Sequence, residues 1–320
     1  MKKLILNEEK LNVLLEYAGF VNGWQKLIEH IYQYSMNNLL SLIRKYVPIQ
    51  NRKGSKEEIF YYFETHDDVD LDYPMKSMVI PENHLNMLKI SGIGEIVVEY
   101  IIDDNLGGAF DSSSMTINHK TNKLNGFTII LNLKELFLKE ETFKQTIQHE
   151  LTHAYEMMRR YKQHGTFKTD NDFENKFYST NIVDENNKIK IVQAISYFFS
   201  KREMNAVVSE IAYMLRQYNP KTEQECWDLI NKNHNSTFLY NINAIVKSLT
   251  KNPQRTIEIM DWIKENPQHS DMFPSIERYK GRPQAYQRRL IKVAQYKLNY
   301  ITQKINKVIK VYLQEKSGVR

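Results

Sequence analysis

The chain has one cysteine, Cys226, in 320 residues. It can therefore build neither an intrachain disulfide framework nor a cluster of zinc thiolates, and it fits a reducing compartment. No segment is apolar enough to cross a membrane, and the opening Met1-Lys-Lys-Leu-Ile-Leu turns polar at Asn7-Glu-Glu-Lys before a leader-length apolar run develops. Cytoplasmic residence without a membrane partner is the expectation. From Arg278 to Gln314 acidic residues are missing altogether. What is present is ample for a large core: 42% of residues are hydrophobic and 12% aromatic, enough for one elaborated domain or a few small ones.

Asn7 to Tyr17 and Trp24 to Tyr46 read as two amphipathic helices, followed by a turn region over Pro48 to Lys56 and a strand at Glu58 to Glu64. Three further strands are expected. Glu95 to Ile102 and Gly126 to Leu131 are rich in β-branched and aromatic residues, and Ser114 to His119 is joined to the latter by a polar stretch that suggests a hairpin. Gly107-Gly108 marks a tight turn or a close approach of the backbone. The acidic run from His66 to Asp72 lacks the glycine and distal glutamate of a calcium loop and reads as a solvated turn. The chain thus divides into an N-terminal helical subdomain (1–75), a central domain (76–218) and a basic helical region (219–320). The fold class is α+β, mainly helical, with a small mixed sheet.

The chemistry centres on His149-Glu150-Leu151-Thr152-His153. Residues i and i+4 share one face of a helix, so both imidazoles can bond one metal ion while Glu150 faces water on its open side. Zinc suits two imidazoles and leaves a water that a neighbouring carboxylate can deprotonate. Thr142 and Gln145 stand as a capping box for this helix, and Phe143, Ile147, Leu151, Ala154, Tyr155 and Met158 form its apolar stripe. His149 and His153 border that stripe. The other histidines, including His30 and His84, are scattered without ligand spacing and read as surface or turn residues.

The third ligand decides the subclass. A histidine ligand in the pattern HExxHxxGxxH is excluded, because Glu156 and Arg159 stand where the glycine and the histidine would be. Asp172 and Glu174 have a suitable interval but fall in a loop-like stretch. Glu203 is the better candidate, inside the helical run Ile191 to Gln217, with Glu210 one heptad further as the runner-up or as a supporting group.

With these residues in view, the chain resembles the zincin metallopeptidases, and the string Glu203-Met-Asn-Ala206 resembles the glutamate helix of gluzincins, in particular the minimal ImmA/IrrE-like peptidases common in phages and mobile elements. It departs from thermolysin-like members in the longer interval between His153 and Glu203, and in Val207 where those members carry a supporting Asp. The resemblance covers about 95–215. It implies a zinc-dependent hydrolase of peptide bonds, with a protein or peptide substrate bound as an extended strand on a sheet edge beside the metal helix. It also implies a tyrosine or histidine that stabilises the oxyanion. Tyr197 is the candidate, with Tyr155, Tyr213 and His164 as alternatives. A virion-associated location joins the cytoplasmic one.

The last helix carries a second signal. Leu290, Ala294, Leu298, Ile301, Ile305, Val308 and Tyr312 recur by threes and fours, so one stripe should pack on the body or a partner. Arg288, Arg289, Lys292, Lys297, Lys304, Lys307 and Lys310 line the remainder. With a pI near 9.0 and a net charge of +6, this face reads either as a solvated cationic helix face or as a surface for a nucleic acid or another acidic partner. The alternative to an enzyme is a virion or nucleic-acid-associated structural protein with a stabilising metal site. Such a site would have a fourth protein ligand and no use for Glu150.

Overall fold

The computed structural model describes residues 8–65, 77–90, 93–102, 108–118, 123–164, 201–232, 235–265 and 276–317. The fold is α+β and mainly helical, with one small mixed sheet, as expected. Two compact units, Met1–Met158 and Arg159–Arg320, make up the chain; they are coarser than the three segments read from the sequence.

The first unit begins with α1 (Glu8–Tyr46), a single helix where two were expected. Gly23 causes no break. A Cβ there would lie 2.6 Å from the carbonyl oxygen of Leu88, so this glycine permits a close helix-to-backbone contact. A short 3-10 turn (Asn51–Lys53) leads to α2 (Lys56–Thr65), which occupies the segment expected as a strand. The cap explains the correction: Ser55 Oγ accepts from Glu58 N at 3.2 Å while Glu58 Oε2 accepts from Ser55 N at 2.7 Å. This reciprocal box starts a helix, and the local aromatic content does not override it.

The sheet is built from β1 (Met78–Pro81), β2 (Ile93–Ile101), β3 (Gly108–Asn118) and β4 (Lys123–Asn132), in the order β1-β2-β4-β3. The short β1 had no counterpart in the sequence reading. Between β1 and β2 lies α3 (Glu82–Met87). β2 and β4 are parallel, while β1 and β3 pair antiparallel with them and form the two edges of the sheet among the described residues. β3 carries a register shift between Asp111 and Thr116. Ser114 Oγ bridges the gap by donating to Asp111 O at 2.6 Å and accepting from Thr128 N at 2.7 Å, so a side chain replaces the lost ladder bond. Ile96, Val98, Phe127, Ile129 and Leu131 supply buried sheet residues.

β4 passes into α4 (Leu133–Leu138) through Asn132, whose side chain accepts from Lys134 N at 2.9 Å. Next comes α5 (Glu140–His164). Its start is not the expected capping box: Thr142, the third residue of a helix that begins at Glu140, donates from Oγ1 to the Lys139 carbonyl at 2.9 Å, and Gln145 is buried. Phe143, Ile147, Leu151 and Ala154 are buried along one stripe. α1 is tied to the start of α5 by a hydrogen bond from Tyr32 to Glu140 and by the Lys144–Glu29 ion pair at 2.6 Å, with the Lys144 ammonium 4.1 Å above the Tyr32 ring.

The second unit is helical among its described residues: α6 (Lys201–Tyr218), α7 (Glu223–Lys232), α8 (Asn235–Lys251), α9 (Pro253–Glu265) and α10 (Pro283–Ser317). α10 packs on the other four. Met204, Val207, Ile211 and Met214 of α6 meet Ile301, Ile305, Ile309 and Tyr312 of α10, with Cys226, Ile230 and Ile242 filling between. The stripe expected for this last helix is largely the buried one. Ile309 takes the deep position in place of Val308, and Tyr286 extends the stripe by one turn. Among the described residues, no helix is long and apolar enough to cross a membrane.

Candidate metal centre

α5 presents His149 and His153 one turn apart, with ring centroids separated by 4.6 Å and planes nearly perpendicular. Glu203 stands in the first turn of α6. One donor atom from each of these three residues lies within 4.8 Å of the other two. Bonds of 2.0–2.1 Å in a tetrahedral sphere place donors about 3.4 Å apart, so small side-chain rotations would close the group around one ion. Two imidazoles and one carboxylate are a donor set that suits zinc and related divalent ions, and three protein donors leave a fourth position open. Glu203 thus joins the histidines as expected, whereas Glu210 stands outside the donor group, although buried on the same helix.

The polar residues here are deeply placed. Exposure is 4% for His153, 6% for Glu150 and 6% for Glu203. Buried ionisable groups are held by partners or by a cation, since taking an unpaired charge from water costs several kcal/mol (about 3 or more). A divalent cation would add a charge partner for the Glu203 carboxylate.

Glu150 is held against the sheet. Gly108, the first residue of the edge strand β3, runs so close to α5 that a Cβ on it would sit 2.8 Å from Thr146 Cγ2, 3.2 Å from Ile130 O and 3.3 Å from Glu150 Cγ. The Gly107-Gly108 signal is therefore a close backbone approach at Gly108, and the edge beside the metal helix is β3. Thr146, on the turn before Glu150, donates to Glu135 Oε2 at 3.1 Å, which ties α5 to α4.

On α6, Asn205 accepts a hydrogen bond from Lys304 of α10, whose ammonium also lies 5.0 Å above the Tyr300 ring. This contact anchors the turn that carries Glu203. Glu156 entered the sequence analysis only as the residue at the glycine position of HExxHxxGxxH. It is buried, and its spacing from His149 and His153 puts all three on one face of α5, a helical signal that was available in the sequence. Thr152, also buried, donates to the Gln148 carbonyl at 2.8 Å.

Tyr197, the expected oxyanion donor, lies outside the described residues, as does Glu174. Tyr155 and Tyr213 are partly buried on α5 and α6, and His164 ends α5. Away from the centre, His30 of α1 and His84 of α3 are not isolated: their rings stack at 4.4 Å between centroids. Burial, and then the neighbouring His84, holds the His30 pKa below its ordinary value.

No family model, curated protein or solved structure matches the chain. The structure establishes a His149/His153/Glu203 group that could hold a metal ion.

Proposed function

We propose that the protein is a zinc-dependent hydrolase of peptide bonds, with His149, His153 and Glu203 as metal ligands and Glu150 as general base. The observation that carries this reading is the convergence of the three donors within 4.8 Å, with Glu150 next in sequence to the first of them. A zinc ion bound there would supply Lewis acidity at a carbonyl oxygen and bring the pKa of water in its open position to about 7.

The chain's own residues supply the rest. Glu150 takes a proton from the attacking water and returns it to the departing amine, a transfer that efficient bases perform when their surroundings fix their geometry. The packing of Glu150 Cγ beside Gly108 restricts its rotamers. The outer edge of β3 offers backbone donors and acceptors to an extended substrate, which would pass the metal helix at the Gly108 end. Three protein ligands and a buried general base favour this reading over a closed, purely structural site.

The decisive experiment combines metal analysis by mass spectrometry with a peptide-hydrolysis screen on wild type, Glu150→Gln and Glu203→Ala. The expected result is about one zinc in wild type and Glu150→Gln, loss of zinc in Glu203→Ala, and hydrolysis in wild type alone. Wild-type protein that remains metal-free after reconstitution at neutral pH would refute the assignment.

A further inference from the structure

α10 has two long faces with opposite character. The buried one belongs to the core of the second unit, while the other bears Arg288, Arg289, Lys292, Lys307 and Lys310, all exposed. At about 100° per residue these five side chains fall within one arc of about 100° on the helix, opposite the Leu290–Ala294–Ile301–Ile305 stripe. None of the five takes part in an ion pair among the described residues. The acidic residues that flank the stretch are already engaged: Glu277 with Lys280 at 3.8 Å and Glu315 with Arg216 at 3.2 Å.

The cations gather toward the two ends of the face. The centre is uncharged and hydrogen-bonding, with exposed Gln295, Asn299 and Gln303, and with Tyr296 at 66% exposure. From Arg288 to Lys310 the face is about 33 Å long at 1.5 Å per residue, close to one turn of a B-form duplex at about 34 Å.

We infer that this face binds the backbone of double-stranded DNA: the terminal Arg and Lys residues contact phosphates, and the central amides and Tyr296 face the bases. Phosphate contacts set affinity and register, while amide side chains and aromatic rings are the groups that address bases. A lipid surface fits less well. An interfacial helix inserts an apolar face, and the apolar face of α10 is consumed in the core. The inference is independent of the metal centre and stands or falls without it.

The test is fluorescence anisotropy of the full chain with a labelled 30-base-pair DNA duplex of mixed sequence, between 50 and 200 mM NaCl. Five phosphate contacts give a slope of log K against log salt of about −4.5, a loss of about 500-fold over that range. Replacing Arg288, Lys292, Lys307 and Lys310 by Gln should flatten the slope to about −1. A control with the same net charge, bearing Lys26→Gln, Lys53→Gln, Lys221→Gln and Lys232→Gln, should keep the wild-type slope. Melting curves establish that both variants are folded.

Absence of binding at 50 mM, a wild-type slope shallower than about −2, or equal losses in the two variants would overturn the inference. So would equally tight, equally Arg288-, Lys292-, Lys307- and Lys310-dependent binding to phosphatidylserine vesicles or to polyglutamate. The wild-type slope stands as a test even if the quadruple variant does not fold.

Discussion

Gly108 and Glu150 are packed against each other, so that a Cβ on the glycine would lie 3.3 Å from Glu150 Cγ and 2.8 Å from the Thr146 methyl. The first residue of an edge strand thereby limits where the proposed general base can stand. Gly108→Ala has to displace the Thr146 and Glu150 side chains or the start of β3, and we expect a loss of about 1–3 kcal/mol in stability. Hydrolysis should fall more than zinc content, because the added methyl moves Glu150 and leaves His149, His153 and Glu203 in place. Denaturant melts beside metal analysis would check this, and an unchanged rate would contradict the positioning role.

Metal removal should act on the fold as well as on activity. An ion held by His149, His153 and Glu203 would bind the folded chain in preference to the unfolded one, so a chelator should lower the melting temperature of wild type. Zinc at a hundred times its dissociation constant adds about 2.7 kcal/mol. Glu203→Ala should show no shift with the chelator, and calorimetry with and without it distinguishes the two.

The stacked His30–His84 pair predicts a pH dependence. The folded pKa of His30 is depressed, so the unfolded chain binds a proton more readily than the folded one. Stability is then fully present above the unfolded value near 6.5 and is lost as pH falls through the lower, folded value. His84→Gln removes the second ring charge and should flatten the curve below about pH 6.5. Urea melts from pH 5 to 8 measure it, and identical curves for wild type and variant would eliminate the pair as a source.

The α2 cap can be tested by Ser55→Ala, which deletes the acceptor for Glu58 N at 3.2 Å and should cost about 0.5–2 kcal/mol. In the second unit, Ile305→Ala removes a fully buried side chain from the α6–α10 core. A cost of about 2–5 kcal/mol is expected from urea denaturation.

The sequence by itself determined what depends on local periodicity. The i, i+4 spacing of His149 and His153 places both imidazoles on one helix face whatever surrounds it, and the acid-free run of α10 sets its basic character before any packing. The strands β2 and β4 were legible from β-branched and aromatic content, and the second half of β3 from the polar stretch that joins it to β4. The reciprocal cap at Ser55 and Glu58 is local too, and its S-x-x-E pattern stood in a segment whose aromatic content resembles a strand. Tertiary structure decided the rest, beginning with the close approach of Gly23 to the Leu88 carbonyl. The strand order that leaves β3 at an edge, the approach of Gly108 to Glu150, and the selection of Glu203 over Glu210 as the third donor involve residues distant in sequence. Such pairings are set by how helices and strands pack in three dimensions, and periodicity along one element carries no record of them.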